Sequence, residues 1–287
     1  MPTVTALSLY PIKSCAGISL ASATVSAAGL SHGSVHDREW MLVDQDGLFI
    51  SQREYPRMAL IRPEIQGATM ILRAPGMPLL GIDLNPDALE DAPRISVQVW
   101  DDVVTARVYD QPVSAWFSQV LATPCRLVRF DASSRRLASR KWTGEQDAPT
   151  HFADGYPLLL TSTGSLEDLN QKLVAQGRPA IPMDRFRPNI VLSGIEAFEE
   201  DYAGSFTILH EAGEIQLQPV KPCTRCTIPA VDQLSGEAGP DPVDILQTYR
   251  ANPLLDGGIT FGMNLIVRKG IGSDIHVGDQ VDIQLAF

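Results

Sequence analysis

The sequence predicts a mainly β fold with a few helices, of the α+β class. Many short segments alternate apolar and polar residues with a period of two, as half-buried strands do, and Gly-, Pro- and Asp-rich turns separate them. Helical patterns are few, and strands and helices do not alternate regularly, which argues against a doubly wound sheet. The chain contains no internal repeat and neither a GxGxxG nor a Walker A motif, so nucleotide binding of those types is unsupported.

The N-terminal part of the chain reads as strands and hairpins. Residues 4–10 form the first predicted strand. The remaining predicted pairs are 40–43 with 48–50 around the turn 44–47, 70–73 with 79–84, and 95–100 with 103–108 around Asp101 and Asp102. We therefore expect a β-rich N-terminal region.

Three segments have helical patterns. Apolar residues at helical spacing over residues 113–121 follow Pro112 and predict the first helix, with its apolar stripe in the core. A second helix is predicted from Ser165, with Asp168 as its capping partner. A short helix is predicted over residues 241–249, with Pro242 at its first position. The polar stretch 135–150 is predicted to be a loop, either a connection or a mobile flap. Further strands are predicted at 189–193, 206–209, 215–218, 259–267 and 280–285.

Composition sets limits on partners and location. The 287 residues suffice for one large domain or two modest ones, and 44% hydrophobic with 20% charged residues is ordinary for a soluble enzyme. The net charge of −11 argues against nucleic-acid and acidic-membrane partners. No secretory signal is visible, and the apolar runs are too short to span a bilayer. Four cysteines do not make a disulfide scaffold, so we expect a cytoplasmic protein.

The most informative motif is Cys223-Thr-Arg-Cys226, which lies between Pro222 and Pro229. Neighbouring cations favour the thiolate, the form that ligates soft metals, and the prolines predict a shaped loop. Two alternatives stay open: a zinc site completed by His32 and His36, and a dithiol redox pair of Cys223 and Cys226. A separate alternative for Cys223 is that it only supports the loop. A plant-type iron–sulfur spacing is absent.

Cations and amides stand at the ends of several predicted strands. The residues are Lys13, Ser14, Arg38, Arg187 and Asn189. Such groups suit a phosphate or a polar heterocycle, so we expect Lys13, Arg38 and Arg187 to line one cationic pocket. The alternative for each arginine is an ordinary surface residue. Asp154 lies in a turn before an apolar strand, where it is either a catalytic carboxylate or an Asx-turn residue.

Together these motifs resemble those of MOSC-domain proteins, and the chain is similar to the mitochondrial amidoxime-reducing components and their bacterial counterparts. The segments that carry the resemblance are 10–15 (YPIKSC), 37–43 (DREWMLV), 186–192 (FRPNIVL), 221–226 (KPCTRC) and 261–262 (FG). The resemblance implies a smaller MOSC N-terminal β-barrel-like domain over residues 1–122. It implies a β-barrel MOSC domain, which binds the molybdenum cofactor, over residues 123–287.

The resemblance also implies a cofactor and a set of site residues. The cofactor is the molybdenum cofactor (Mo-molybdopterin), with the Cys226 thiolate as the protein ligand of the metal. The positions that match pterin- and phosphate-binding residues of the family are Lys13, Ser14, Arg38, Arg187, Asn189, Thr224 and Arg225. Asp154 matches an acidic residue near the metal, and is expected to be catalytic together with Cys226.

The implied activity is a molybdenum-dependent reduction of N-hydroxylated compounds: amidoximes, hydroxylamines and N-hydroxylated bases. Asp154 is the expected proton relay. Because the chain stops at Phe287 without the extra cysteines of a ferredoxin tail, electrons are expected from a separate flavin or iron–sulfur protein. The alternative is a molybdenum cofactor carrier or sulfuration module without turnover.

Overall fold

The computed structural model describes residues 1–210 and 213–286, and the fold is mainly β within the α+β class, as predicted. The described residues form twenty strands. They are β1 (Thr3–Leu9), β2 (Ile18–Leu20), β3 (Ser22–Ser26), β4 (Gly29–His32), β5 (Val35–His36), β6 (Trp40–Val43), β7 (Arg62–Gln66), β8 (Thr69–Arg73), β9 (Leu80–Asp83), β10 (Arg94–Val99), β11 (Asp102–Val108), β12 (Arg126–Phe130), β13 (Leu158–Ser162), β14 (Ile190–Ser193), β15 (Ala203–His210), β16 (Gly213–Thr224), β17 (Ala251–Asn252), β18 (Gly258–Lys269), β19 (Asp274–His276) and β20 (Val281–Leu285).

Helices are short and few. The α-helices are α1 (Gln111–Leu121), α2 (Arg140–Thr143), α3 (Thr163–Ala175) and α4 (Val243–Gln247). Single 3₁₀ turns cover Pro56–Leu60, Pro86–Leu89, Met183–Phe186, Glu199–Tyr202, Ile228–Ala230 and Pro253–Leu255. Within residues 1–210 and 213–286, no helix combines the length and the apolar character that crossing a bilayer requires.

The strands form one large sheet and three small ones. The large sheet has the order β2-β1-β14-β13-β18-β16-β15-β20, and β17 pairs with β18. The small sheets are β10-β11-β12-β6, β19-β3-β4-β5 and β7-β8-β9. Among the described strand pairs, β13 and β14 alone are parallel.

Strands from the start of the chain pair with strands from its later part. In β1, Leu7 lies opposite Ile190 of β14, and in β3, Thr24 lies opposite Asp274 of β19. Turns that follow N-terminal strands are thereby brought next to loops from the later part of the sequence. The domain boundary between residues 122 and 123 stays a prediction.

A cluster of aromatic residues supports the segment before β14. Phe186 and Phe261 are fully buried, and their rings stack with centroids 3.9 Å apart at an interplanar angle of 18°. Leu169 and Leu173 of α3 belong to the same apolar cluster. This packing fixes the position of the residues that follow Phe186 relative to β18.

Most predicted elements are present, and five differ in detail. Residues 48–50 do not form a strand, because the hairpin after β6 is reduced to single bridges such as that of Val43 with Phe49. The stretch predicted as a loop over 135–150 contains helix α2. Helix α4 begins at Val243, so Pro242 is its N-cap rather than its first residue.

The fourth difference concerns the cap of α3. The helix begins at Thr163, and the Ser162 hydroxyl caps it by accepting a hydrogen bond of 3.1 Å from the Ser165 amide. The predicted capping role of Asp168 is wrong. The Asp168 carboxylate instead forms an ion pair with Lys172 and accepts a hydrogen bond of 2.9 Å from the Tyr249 hydroxyl.

The segment before the CxxC motif is a strand where a loop was predicted. Strand β16 continues through Pro219 and Pro222 to Thr224, so Cys223 is a strand residue and the loop begins at Arg225. The register against β18 shifts at both prolines. Because proline has no N–H to donate, the ladder tolerates it only where the pairing is irregular. The bulges therefore allow a strand in a sequence that proline content predicts to be a loop.

Candidate functional site

One cleft collects every site residue that the sequence predicts. Its lining includes Lys13, Ser14, Arg38, Asp154, Arg187, Asn189, Thr224, Arg225 and Cys226. Phe49, Arg53 and Cys223 also line it. Lys13, Arg38 and Arg187, which are far apart in the sequence, thus face the same cleft.

Several of these residues have left-handed backbone conformations, which set the direction of their side chains. Ser14 (φ 65°), Arg38 (φ 49°) and Arg187 (φ 55°) each adopt a conformation that is uncommon for residues other than glycine. Two backbone hydrogen bonds hold the first two turns together: the Lys13 amide donates to the Trp40 carbonyl (2.8 Å), and the Arg38 amide donates to the Tyr10 carbonyl (2.7 Å). The surrounding structure thus holds these uncommon backbone conformations at residues that line the cleft.

The buried ring of Tyr10 supports two cations. The guanidinium carbons of Arg38 and Arg187 each lie 4.3 Å from the ring centroid. A Cβ atom at Gly17 would lie 2.6 Å from Cε1 of this ring, so glycine there leaves the space that Tyr10 occupies. Burial raises the pKa of the Tyr10 phenol, which keeps it neutral beside the two arginines.

A buried polar network positions Arg38. Nη1 of Arg38 pairs with the carboxylate of Asp37 and donates to Oδ1 of Asn189 (3.1 Å). Asn189 in turn donates from Nδ2 to Oδ1 of Asp37 (3.0 Å) and to the Ser8 carbonyl (3.2 Å). Because its amide is occupied by protein partners, Asn189 acts on the cleft through the orientation of Arg38.

Arg187 is a cleft cation with two unused hydrogen-bonding nitrogens. Its residue is 8% exposed, and Nη1 and Nη2 are buried without a hydrogen-bond partner among the described residues. Burial, reinforced by the charge of Arg38, lowers the pKa of Arg187. Buried donors are rarely left unpaired, so this guanidinium suits an acceptor supplied by a ligand.

Lys13 and Asp154 form an ion pair at the cleft. Nζ of Lys13 lies 2.5 Å from Oδ1 of Asp154 and also donates to the Phe152 carbonyl (2.8 Å). Trp100 donates from Nε1 to the same carboxylate oxygen (3.1 Å). Desolvation raises the pKa of Asp154, but the charge and hydrogen bond of Lys13 outweigh it and hold that pKa well below its ordinary value. Asp154 is therefore ionised at neutral pH.

The two thiols of the CxxC motif differ in their surroundings. Sγ of Cys223 accepts a hydrogen bond of 3.0 Å from Nη1 of Arg225, whose Nη2 donates to the Phe186 carbonyl (3.0 Å). Cys226 is exposed, and its sulfur has no hydrogen-bond partner in the described part of the chain. Of the two thiols, Cys226 is thus the one available to a ligand.

The described residues do not support the zinc alternative. His36 packs instead against His151, with ring centroids 5.5 Å apart, and His151 contacts Phe130. In residues 1–210 and 213–286, no three His, Cys, Asp or Glu side chains are grouped so that they could hold a metal ion.

Comparison with known proteins identifies the family. Residues 1–124 match the MOSC N-terminal beta barrel domain, and residues 147–282 match the MOSC domain. Mitochondrial amidoxime reducing component 2 of Rattus norvegicus is 34% identical over 97% of this chain and 82% of its own length. The chain is a MOSC-domain protein of the amidoxime-reducing component family. Human mitochondrial amidoxime reducing component 2 is 32% identical over the same shares.

A solved structure shows a weaker likeness. The YUAD protein of Bacillus subtilis aligns with all of this MOSC-domain chain and 98% of its own, at 12% identity and a TM-score of 0.41. A likeness of that strength supports no conclusion about function.

The structure adds residues to this MOSC site that the sequence did not single out. Arg136, 5% exposed, donates to the carbonyls of His151 (3.0 Å) and Asp154 (3.0 Å), and its Nε donates to Asp102 (2.7 Å). It anchors the Asp154 loop to strand β11. The position of Asp37, an acid directly before Arg38, could have indicated its role. Arg136 lies in a polar stretch whose sequence does not indicate burial.

Proposed function

We propose that this protein is a molybdenum-cofactor-dependent reductase of N-hydroxylated compounds. The observation that carries the proposal is the joint presence, in one cleft, of the exposed Cys226 thiol and the buried, unpartnered guanidinium of Arg187. Thiolates bind soft metals, and guanidinium groups bind phosphate. A metal centre joined to a phosphorylated organic group needs both.

The residues of the cleft fit such a group. Cys226 would supply the thiolate ligand, and Arg187, Lys13 and Arg38 would surround the phosphate. Ser14 would donate its hydroxyl, and Thr224 and Arg225 would border the pterin. When bound, a molybdenum cofactor supplies the two-electron redox chemistry that breaking an N–O bond requires.

The reaction consumes two electrons and two protons: R–NHOH + 2e⁻ + 2H⁺ gives R–NH₂ + H₂O. The N–O bond breaks, nitrogen is reduced, and the oxygen leaves as water. Asp154 is positioned to pass protons, because its carboxylate is ionised and is hydrogen-bonded to the ammonium group of Lys13. Asp154 would take a proton from that ammonium group and pass it to the substrate across this hydrogen bond.

Substrates and partners follow from the same proposal. Amidoximes, hydroxylamines and N-hydroxylated bases are the proposed substrates, and a separate flavin or iron–sulfur protein is the proposed electron donor. The proposed location is the cytoplasm.

Metal analysis combined with a turnover assay tests the proposal. Protein made in cells that synthesise the cofactor should contain molybdenum and should reduce an amidoxime when a reduced viologen dye supplies electrons. Molybdenum without turnover of amidoximes, hydroxylamines or N-hydroxylated bases would favour the carrier or sulfuration role. Absence of molybdenum would contradict both the reductase proposal and the carrier or sulfuration role.

A further inference from the structure

We infer that Trp100, Phe49 and Arg53 form a substrate-binding wall that selects flat aromatic N-hydroxylated compounds over small aliphatic ones. These three residues are called the aromatic wall below. The inference rests on the proposed function. It assigns to the aromatic wall the role of contacting the group attached to the reacting nitrogen.

The backbone of Trp100 is the first observation. In the hairpin of β10 and β11, Val99 pairs with Asp102, so Trp100 and Asp101 form a two-residue turn. Trp100 has φ 55° at the first turn position, where a positive φ strongly favours glycine. A bulky residue in this conformation is a conformational outlier, and such outliers concentrate at functional sites.

The surroundings of the Trp100 ring are the second observation. The ring centroids of Phe49 and Trp100 lie 5.1 Å apart, and the guanidinium carbon of Arg53 lies 4.6 Å from the Trp100 ring. The indole N–H donates to Oδ1 of Asp154. The ring is therefore held in one orientation although the residue remains 43% exposed.

Position joins the wall to the site. Phe49 and Arg53 line the same cleft as Cys226, and Trp100 contacts both of them and Asp154. The turn cannot easily move away, because Arg136 bridges Asp102 at the start of β11 to the carbonyl of Asp154. A ligand that places its N–hydroxy group near Asp154 therefore meets the wall with its other end.

The chemistry of the wall sets the class of ligand. A partly exposed indole ring beside a guanidinium attracts flat π-systems, and a preordered surface loses little entropy when it binds them. The cations Lys13 and Arg53 both lie near the Phe49 ring, at 5.1 and 5.7 Å from its centroid. Because Lys13 is already paired with Asp154, the wall offers a cationic aromatic no free carboxylate there, and neutral flat compounds such as aromatic amidoximes suit it.

Binding without turnover tests the inference. Calorimetric titration of the cofactor-loaded protein, with no electron donor present, would compare benzamidoxime with acetamidoxime, which shares the N-hydroxy group but lacks the ring. We expect wild type to bind benzamidoxime at least about ten-fold more tightly, the scale of stacking one ring on an aromatic side chain. Trp100→Gly should remove about that factor for benzamidoxime and leave acetamidoxime unchanged.

Two further variants separate binding from folding. Trp100→Gly should fold, because glycine suits this turn position, and its Tm checks this. Trp100→Phe retains a ring and should keep most of the selectivity. Val103→Ala changes a residue that is 66% exposed on the same hairpin and should bind both ligands as wild type does.

Equal binding of the two ligands by wild type, or an equal loss for both in Trp100→Gly, would overturn the inference. Failure of the proposed function would look different. In that case viologen-driven turnover would be absent, whereas ring-selective binding that depends on Trp100 would persist.

Discussion

The ammonium nitrogen of Lys13 lies 2.5 Å from Oδ1 of Asp154, which joins a buried cation to a carboxylate whose side chain is 67% exposed. Burial lowers the pKa of Lys13, so the lysine releases a proton more readily than a lysine in water. In the proposed function, the carboxylate would be the route by which a proton on a buried nitrogen reaches the open side of the cleft.

Replacing Asp154 by asparagine should separate a role in proton transfer from a role in the turn. The amide is nearly isosteric, so Asp154→Asn should keep its molybdenum and its fold while turnover falls roughly 10²-fold, the scale for loss of a general acid–base group. Molybdenum content, Tm and viologen-driven turnover measure the three properties. Asp101→Asn, at an exposed acid on the neighbouring hairpin, is the control and should turn over normally. Full turnover by metallated Asp154→Asn would place the proton source elsewhere.

The two cysteines of the CxxC motif should differ in their effect on metal content. Cys226→Ser should lose molybdenum, because a serine hydroxyl is a much poorer ligand for a soft metal than a thiolate. Cys223→Ser should retain most of the metal, since the Cys223 sulfur is already hydrogen-bonded to Arg225. Metal analysis of both variants, prepared side by side, measures this. Equal losses would show that the thiols act as a pair, as in a dithiol site.

Arg187 should stabilise the cofactor-loaded protein and destabilise the cofactor-free protein. Its buried, unpartnered nitrogens leave about 1–3 kcal/mol of unfavourable desolvation in the absence of a ligand. Arg187→Met should therefore raise the Tm of cofactor-free protein while lowering molybdenum content in cells that make the cofactor. Arg185→Met is a matched comparison, because Arg185 pairs with Asp232 (2.7 Å) and its loss should lower the Tm. A lower Tm for cofactor-free Arg187→Met would contradict the prediction.

Glu200 should make stability depend on pH. The residue is fully buried, its carboxylate accepts hydrogen bonds from Ser162 (3.0 Å) and Ser165 (2.7 Å), and burial raises its pKa. Because the folded pKa lies above the unfolded one, wild type loses stability as the pH rises from the ordinary carboxyl range through the folded pKa. The loss is about 1.4 kcal/mol for each unit of pKa shift.

Glu200→Gln removes this titration. The difference in Tm between the variant and wild type should therefore grow in favour of the variant as the pH rises above the ordinary glutamate pKa of about 4.3. Thermal unfolding at several pH values measures it. A Tm difference that is constant across this range would show that Glu200 does not titrate there.

The sequence was most informative where a pattern is local. Period-two alternation identified β1, short apolar runs identified β8–β11 and β14, and helical spacing identified α1. Strands β3–β5 were missed because they consist largely of small and polar residues and pair with each other and with β19, far away in the chain. Strand β16 was cut short because two prolines obscured a strand that is held together by bulges.

The candidate site shows the same division. Strand-end cations and the CxxC motif were visible as residue types, and the family resemblance related them to one ligand. The sequence could not show which hydrogen bonds each side chain makes with its neighbours. Neither the free guanidinium of Arg187 nor the occupied amide of Asn189 follows from composition or spacing. Trp100 was passed over because a tryptophan at a glycine position of a turn becomes unusual only when its φ is known.

The placement of β1 between β2 and β14 has a consequence for protein synthesis. Lys13 leaves the ribosome early, whereas β14, one of the two strands that β1 pairs with, begins at Ile190, and Cys226 follows later still. A growing chain therefore has half of a binding cleft and no partner for it until most of the polypeptide has been translated. Such long-range pairing is slow to form. If the protein binds the proposed cofactor, loading must wait for a nearly finished chain, and any cellular factor that delivers the cofactor has to recognise the folded protein rather than a nascent one.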